Sequence, residues 1–273
     1  MERSEAIVDC EYILMDAPGG YLLDLDGTLY AGGAALPGAV ETLRALRRRG
    51  TPFRLVTNTT TRSRAMLVER LAGYGFAVGA EEIFTATLAG VGILKDAGYR
   101  LIAPFIPPGA LEDMTGLALA GGTSGSGPAG PADAVVVGDL GERWTFALLQ
   151  EAFEHLRSGA ALVALSRDRF WGQGQRLTLD AGPFVAALEF AAGKPALVAG
   201  KPSGAFFASA VAGLGVPAPS VAMVGDDLWS DIEGAQRAGL RGWLVRTGKF
   251  REEQLHQAAV TPDRILASLA ELL

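Results

Sequence analysis

Tyr21 to Tyr30 reads YLLDLDGTLY: three apolar residues, two aspartates one residue apart, then Gly27 and Thr28. An unbroken apolar lead is the mark of a strand covered on both faces, and the switch at Asp24 puts the carboxylates at that strand's carboxyl end. In an open α/β sheet that edge is where ligands bind; Gly27 permits a sharp turn there, and Thr28 is placed to hydrogen-bond locally. Because side chains alternate along extended chain, Asp24 and Asp26 are expected on one side of the emerging loop, where they repel unless a cation lies between them. Two simpler readings compete. A calcium loop of EF-hand type would need Gly and Glu where this chain has Leu29 and Ala35. A plain Asp/Gly surface turn leaves unexplained the apolar strand before it and three similar strand ends downstream.

The first of these is Phe53 to Val56, which ends in Thr57-Asn58-Thr59-Thr60. Thr60 or Thr61 is expected to cap a helix from Arg62 to Leu71, whereas Thr57 and Asn58 come earlier and suit phosphate oxygens without adding charge. The second is Leu197 to Ala199, followed by Gly200-Lys201-Pro202 and a helix from Ser203 to Leu214, so Lys201 is a cation at a carboxyl edge. Lys194 makes a rival Gly-Lys-Pro ahead of that strand and reads as a solvated loop charge. The third is Val221 to Val224, leading into Gly225-Asp226-Asp227-Leu228-Trp229-Ser230-Asp231. A helix N-terminus alone attracts carboxylates, but here the acidic turn recurs at an edge already carrying two. Unit charges about 4 Å apart at an effective dielectric near 20 repel by roughly 4 kcal/mol, so Asp24, Asp26, Asp226, Asp227 and Asp231 cannot all stay ionised at close quarters. Lys201 alone does not balance them. An all-oxygen set without His or Cys suits a hard cation, Mg²⁺ above all, which would also neutralise a phosphoryl group.

Composition bounds the rest. The chain has 273 residues, 49% hydrophobic and 20% charged, enough for one large or two moderate domains with a sizeable core. Its 24 basic and 30 acidic residues give a net charge of −6, and the only basic cluster, Arg47 to Arg49, reads as the last turn of a helix stopping at Gly50, so nucleic acid is excluded as a partner. The single cysteine, Cys10, leaves no internal disulfide and fits a reducing compartment. No apolar run has the length of a membrane span and the acidic N-terminus MERSEAIVDCEY lacks a signal-like core, so the expectation is a cytoplasmic protein without a membrane partner. Met1 to Gly20 carries no chemistry and reads as an extension packed on the core.

Between the second and third strand ends the pattern changes to a self-sufficient α/β alternation: helix Leu88 to Ala97, strands Leu101 to Phe105 and Ala134 to Val137, helix Trp144 to Arg157, strand Ala161 to Leu165. Gly121 to Pro131 within it is a flexible Gly/Pro-rich linker. Its formal G-x-G-x-x-G at Gly125, Gly127 and Gly130 precedes a strand and is broken by Pro128, so a dinucleotide fingerprint is rejected. The expected fold is therefore α/β: a doubly wound, mostly parallel, Rossmann-like sheet from residues 1–82 and 195–273, with an inserted α/β domain over 83–194.

DLDGTLY, TN, GKP before a helix and GDDLWSDI together resemble the four motifs of the haloacid dehalogenase (HAD) superfamily of phosphohydrolases. The insertion between the second and third motifs is similar to its subclass IIA, whose α/β (C2) cap sits there and which includes the N-acetylglucosamine-phosphate, pyridoxal and phosphoglycolate phosphatases. GPFVAALEFA, GKPSGAFF and the run from MVGDD through GAQRAGL to LVRTGKF look most like the group acting on phospholysine, phosphohistidine and inorganic pyrophosphate. The resemblance implies Asp24 as nucleophile and Asp26 as acid to the leaving group, then base to water. It implies Thr57 and Asn58 on the phosphoryl oxygens, Lys201 offsetting their charge, and Mg²⁺ held by Asp24, Asp226 and the Asp26 backbone carbonyl. Asp227 or Asp231 would orient metal-bound water or Lys201. It further implies a small phosphorylated substrate under the cap, near Asp139 to Arg143 and Arg167 to Trp171, and a homodimer formed through the caps. Which of Arg143, Arg167, Arg169 and Trp171 points inward is left open: inward arginines would favour a phosphate leaving group, Trp171 a flat organic one. A 2-haloacid dehalogenase would need neither Asp26 nor metal, and a receiver-type module that stores phosphate would need only about half this length.

Overall fold

The computed structural model describes residues 17–125, 130–173, 176–257 and 259–273; Cys10, most of the N-terminal extension and Gly127 lie outside the described residues. In chain order the strands begin with β1 (Gly20–Asp24), the short hairpin β2 (Tyr30–Ala31) and β3 (Ala34–Ala35), β4 (Phe53–Thr57) and β5 (Ile83–Thr85). Helix α1 (Ala39–Arg48) precedes β4 and α2 (Arg64–Gly73) follows it; α3 (Ala86–Asp96) continues directly from β5. Next come β6 (Leu101–Phe105), α4 (Pro108–Leu111), β7 (Ala118–Leu119), β8 (Ala134–Val137), α5 (Phe146–Arg157), β9 (Ala161–Ala164), the hairpin β10 (Phe170–Gln173) and β11 (Arg176–Leu179), and α6 (Gly182–Ala192). The chain closes with β12 (Leu197–Val198), α7 (Gly204–Ala212), β13 (Val221–Gly225), α8 (Gly234–Arg237), β14 (Arg241–Val245), α9 (Glu252–Gln257) and β15 (Arg264–Leu266).

β1 is buried along its whole length, as an apolar strand with neighbours on both faces should be. Its alternate residues feed two cores: Leu22 joins Val56 and Met223 on one face, while Tyr21 and Leu23 join Leu55 and Val224 on the other. The first sheet is parallel in the order β15-β14-β13-β1-β4-β5, so the strand order reverses beside β1. That reversal opens a crevice at the carboxyl ends of β1 and β13, where Asp24 and Asp226 stand. The doubly wound α/β expectation is met.

A second parallel sheet runs β12-β9-β8-β6-β7. Its one face packs on α5 and α6 through Ala152, Leu156, Val185 and Leu188. Its other face shares an apolar cluster with α3, α7 and the first sheet, including Val136, Val163, Phe206, Phe207 and Leu22. Two strands pair across the expected domain limits. β5 lies beyond 82 yet hydrogen-bonds to β4, and β12 lies beyond 195 yet pairs with β9 in the second sheet. Lys201 thus follows a strand of the second sheet, and an edge strand of two residues carries no local signal of which sheet it joins.

Three local expectations are corrected. The cap of α2 is Ser63, whose hydroxyl accepts the Met66 amide, not Thr60 or Thr61. Lys194 is no solvated charge: its ammonium donates to the Leu156 and Ala160 carbonyls at the end of α5. The Thr28 hydroxyl is buried without a hydrogen-bond partner among the described residues, so its expected local bond is not formed. Arg47 and Arg48 do occupy the last turn of α1.

Candidate active site

Past Asp24 the chain stops being extended. The Leu25 carbonyl accepts the amides of Thr28, Leu29 and Tyr30, so the two aspartates part company instead of sharing one side of the loop. Asp24 is buried, whereas Asp26 is exposed and accepts the Tyr30 hydroxyl at 2.9 Å. Burial, and then the charge of Asp26, holds the Tyr30 phenol above its ordinary range, so it stays a proton donor to that carboxylate.

The carboxylates that do converge come from three places in the chain. Asp24, Asp226 and Asp231 each bring one oxygen into a group whose members lie within 4.8 Å of one another, and all three are buried. Asp231 is delivered by a π-helical turn, Leu228–Glu233, that Asp227 caps by accepting the Trp229 and Ser230 amides. The alternative left open between the two is thereby divided. Asp227 spends its other oxygen on the Lys249 ammonium at 3.1 Å, and Asp231 reaches Lys201. The Lys201 ammonium donates at 2.6 Å to both Asp24 Oδ1 and Asp231 Oδ1, with only 4% of the residue exposed.

Lys201 within three buried carboxylates, with Lys249 beside them and bonded to Asp227, still leaves a surplus of negative charge. Burial pushes the Asp24 carboxyl well above the usual carboxylate range despite Lys201, with Asp231 and Asp226 adding to the rise. Burial and then the Asp231 charge push Asp226 up to about 7. Lys201 is held above the ordinary lysine range, because Asp231 and Asp24 outweigh the burial that works against its charge. An all-oxygen cluster this short of positive charge fits a hard divalent cation, for which Asp24, Asp226 and Asp231 each offer an oxygen.

The crevice is closed so tightly around Asp226 that side chains are excluded. A Cβ on Gly27, at φ +83°, would lie 2.0 Å from Asp226 Oδ2, and one on Gly248, at φ +59°, would lie 1.9 Å away. Thr247 donates to the Gly27 carbonyl, and the Lys249 amide donates to Asp226 Oδ2 at 2.6 Å. Thr247, Gly248 and Lys249 were missed from the sequence. Their signal was the rule already in use, since they follow the apolar β14 at the same sheet edge.

Thr57 is buried at the end of β4, where its hydroxyl accepts the Thr59 amide. Asn58 is more committed than expected. Its Oδ1 accepts the Lys201 amide at 2.7 Å, and its Nδ2 donates to the Lys201 carbonyl at 2.9 Å and to Asp168 Oδ2 at 3.4 Å. The side-chain amide therefore clamps Lys201 in place. From the second sheet, the Asp139 amide donates to the Thr60 hydroxyl at 2.8 Å. Arg167 reaches away to Glu189 on α6 at 2.7 Å with its side chain 47% exposed, and Arg143, Arg169 and Trp171 are exposed too.

Fold and site define a doubly wound α/β protein with an acid–lysine centre at its topological switch point. A family model described as haloacid dehalogenase-like hydrolase matches residues 21–119, and one described as HAD-hydrolase-like matches 198–272. The chain is 40% identical to haloacid dehalogenase-like hydrolase domain-containing protein 2 of Bos taurus, covering 84% of this chain and 85% of that one. It is 37% identical to the phospholysine phosphohistidine inorganic pyrophosphate phosphatase of Homo sapiens, covering 92% of each. The p-nitrophenyl phosphatase from Archaeoglobus fulgidus superposes with a TM-score of 0.84 at 28% identity, over 94% of this chain and 98% of that one. The chain belongs to the haloacid dehalogenase-like hydrolases, and it is an enzyme of that family.

Proposed function

We propose that this enzyme is a Mg²⁺-dependent phosphohydrolase of small phosphorylated metabolites that works through an aspartyl-phosphate. The observation that carries this reading is the Lys201 ammonium set between Asp24 and Asp231 beside Asp226, at the reversal of the first sheet. Asp24 attacks phosphorus, and the leaving oxygen takes a proton from Asp26. Water then attacks the acyl phosphate while Asp26 takes its proton, so phosphate is released and both carboxylates return to their starting state. Lys201 and Thr57, with the Asn58 backbone, offset and orient the phosphoryl oxygens, and Asp231 holds Lys201. A bound Mg²⁺, on Asp24, Asp226 and the Asp26 carbonyl, would supply the charge that neutralises the phosphoryl group. The unit between α3 and α6 acts as the cap, and the cytoplasm remains the expected location. Phosphoamides and inorganic pyrophosphate belong in the substrate panel because the human relative is named for them.

The test is phosphate release from p-nitrophenyl phosphate, phospholysine and pyrophosphate with Mg²⁺ and after chelation. Release that falls to background on chelation and returns with Mg²⁺ is expected. Turnover indifferent to the chelator, or a phosphoprotein that accumulates without release, overturns the reading.

We infer also a homodimer through the caps. Cross-strand pairing puts Phe170, Leu177 and Leu179 on one face of the β10–β11 ribbon, and all three are exposed, Leu177 by 66%. A two-stranded ribbon is marginal alone, and an apolar face of this kind is covered by a second copy. Light scattering at micromolar concentration should give twice the chain mass, and Leu177→Glu should shift it to the monomer with an unchanged far-ultraviolet spectrum. A wild-type monomer removes the inference.

A further inference from the structure

The sequence left open whether arginines or Trp171 of the second sheet's loops face the site; the side chain of these loops that meets the first sheet is Asp168, beside Asn58. Strands β8 and β9 run parallel, so the loops at their carboxyl ends, with Asp139 and Asp168, lie on one edge of the second sheet. The Thr60–Asp139 and Asn58–Asp168 hydrogen bonds bring that edge onto the phosphate-binding loop of the first sheet. Asp168 is then one residue, Asn58, removed from Lys201.

The loop bearing Asp168 is held firmly. The Asp168 amide donates to the Ser166 hydroxyl at 3.0 Å, and its carbonyl accepts the Gly182 amide at 3.0 Å. A Cβ on Gly182 would lie 2.6 Å from both the Arg167 and the Asp168 carbonyl oxygens, so only glycine lets α6 begin this close. The same junction brings in Asp180, whose carboxyl is pushed up to about 7 by burial and then by the charges of Asp168 and Asp139, with Lys249 working the other way. Arg167 is paired with Glu189 on α6, and the cation whose charge reaches Asp168 is Lys249, itself bonded to Asp227.

Resting on the phosphatase reading, we propose that Asp168 determines leaving-group specificity: it admits leaving groups that carry an ammonium or neutral hydrogen-bond donors and rejects anionic ones. The cause is like-charge repulsion in a partly desolvated cleft beside the reacting phosphoryl group. Inorganic pyrophosphate, whose leaving group is itself an anion, should accordingly be a poor substrate.

The experiment compares two esters of equal length, O-phosphoethanolamine and phosphoglycolate, which differ in bearing an ammonium or a carboxylate, with p-nitrophenyl phosphate as the control for phosphatase action. Wild type should favour the ammonium ester in kcat/KM by about tenfold or more at low salt, with the ratio shrinking as ionic strength rises. Asp168→Asn should lower the ratio about tenfold, mainly through KM, and Asp168→Lys should reverse it, which a loss of fold alone would not do. Arg167→Ala should leave the ratio where it was. An unaltered ratio in Asp168→Asn and Asp168→Lys, or a wild-type preference for the carboxylate ester, overturns the proposal. Silence on p-nitrophenyl phosphate as well would instead bring down the phosphatase reading and this inference with it.

Discussion

Asp24→Asn should abolish phosphate release while the protein stays folded. An amide does not attack phosphorus, and removing a covalent nucleophile costs turnover by about 10⁴-fold or more. Stability should move the other way or not at all. The Asp24 carboxyl sits well above its ordinary range because burial and the neighbouring Asp231 and Asp226 disfavour its charge. A carboxyl whose folded pKa is raised weakens the fold progressively as pH climbs above its unfolded value, so a neutral amide relieves that cost at pH 7. Lys201 keeps Asp231 as its partner in the variant. Steady-state phosphate release and a thermal melt on the same preparation check both halves. Wild-type turnover in Asp24→Asn rejects the nucleophile assignment, and a melting temperature lowered by more than about 5 °C, worth about 1–3 kcal/mol in a protein of this size, would mean that the loss is one of fold.

Lys201→Met should be damaging on both counts. The ammonium is the cation shared at 2.6 Å by two buried carboxylates, and methionine fills its length without its charge. Breaking a buried ion pair from one side costs about 3–5 kcal/mol, because the partners are left charged and unpaired. Against a total stability of roughly 5–15 kcal/mol this is a large share, and it corresponds to a melting temperature lower by about 6–20 °C. Losing a preorganised cation at the reacting centre should cost a further 10²–10³-fold or so in kcat. Lys194→Met is the matched control. Among the described residues the Lys194 ammonium bonds the Leu156 and Ala160 carbonyls, so its loss should cost about 1 kcal/mol and leave the kinetics alone. Equal effects of the two substitutions would show that Lys201 acts as a packing residue.

The difference between these two lysines marks the limit of what was legible in the chain. Both stand in Gly-Lys-Pro, and position relative to an apolar strand singled out Lys201, which the fold sets between Asp24 and Asp231. The strand itself was credited to the wrong sheet: β12 pairs with β9, so Lys201 enters the site from the second sheet, and Asn58 carries a join between the two sheets. The same rule, applied to β14, would have found Gly248 and Lys249. The Arg167 to Trp171 loop was named as a neighbour of the substrate, but nothing local singles out Asp168 within it, whose place beside Asn58 depends on a hydrogen bond spanning 110 positions of sequence.

By itself the sequence determined the α/β class, the parallel sheet and the strand ends that carry Asp24, Thr57 and Asp226. Those are properties of short stretches: an apolar run long enough for a strand, a change of polarity at its end, and a glycine or helix cap to turn the chain. Tertiary structure alone decided that Asp26 accepts the Tyr30 hydroxyl while Asp231 turns in to Lys201, that Asp227 caps the turn instead, and that Asp168 meets Asn58 while Arg167 pairs with Glu189. Beyond a strand end the chain is no longer held by ladder hydrogen bonds, so each side chain's direction is set by whatever the rest of the molecule packs against it. Those partners come from positions far apart in the chain, and their number and charge exist only once both sheets have formed.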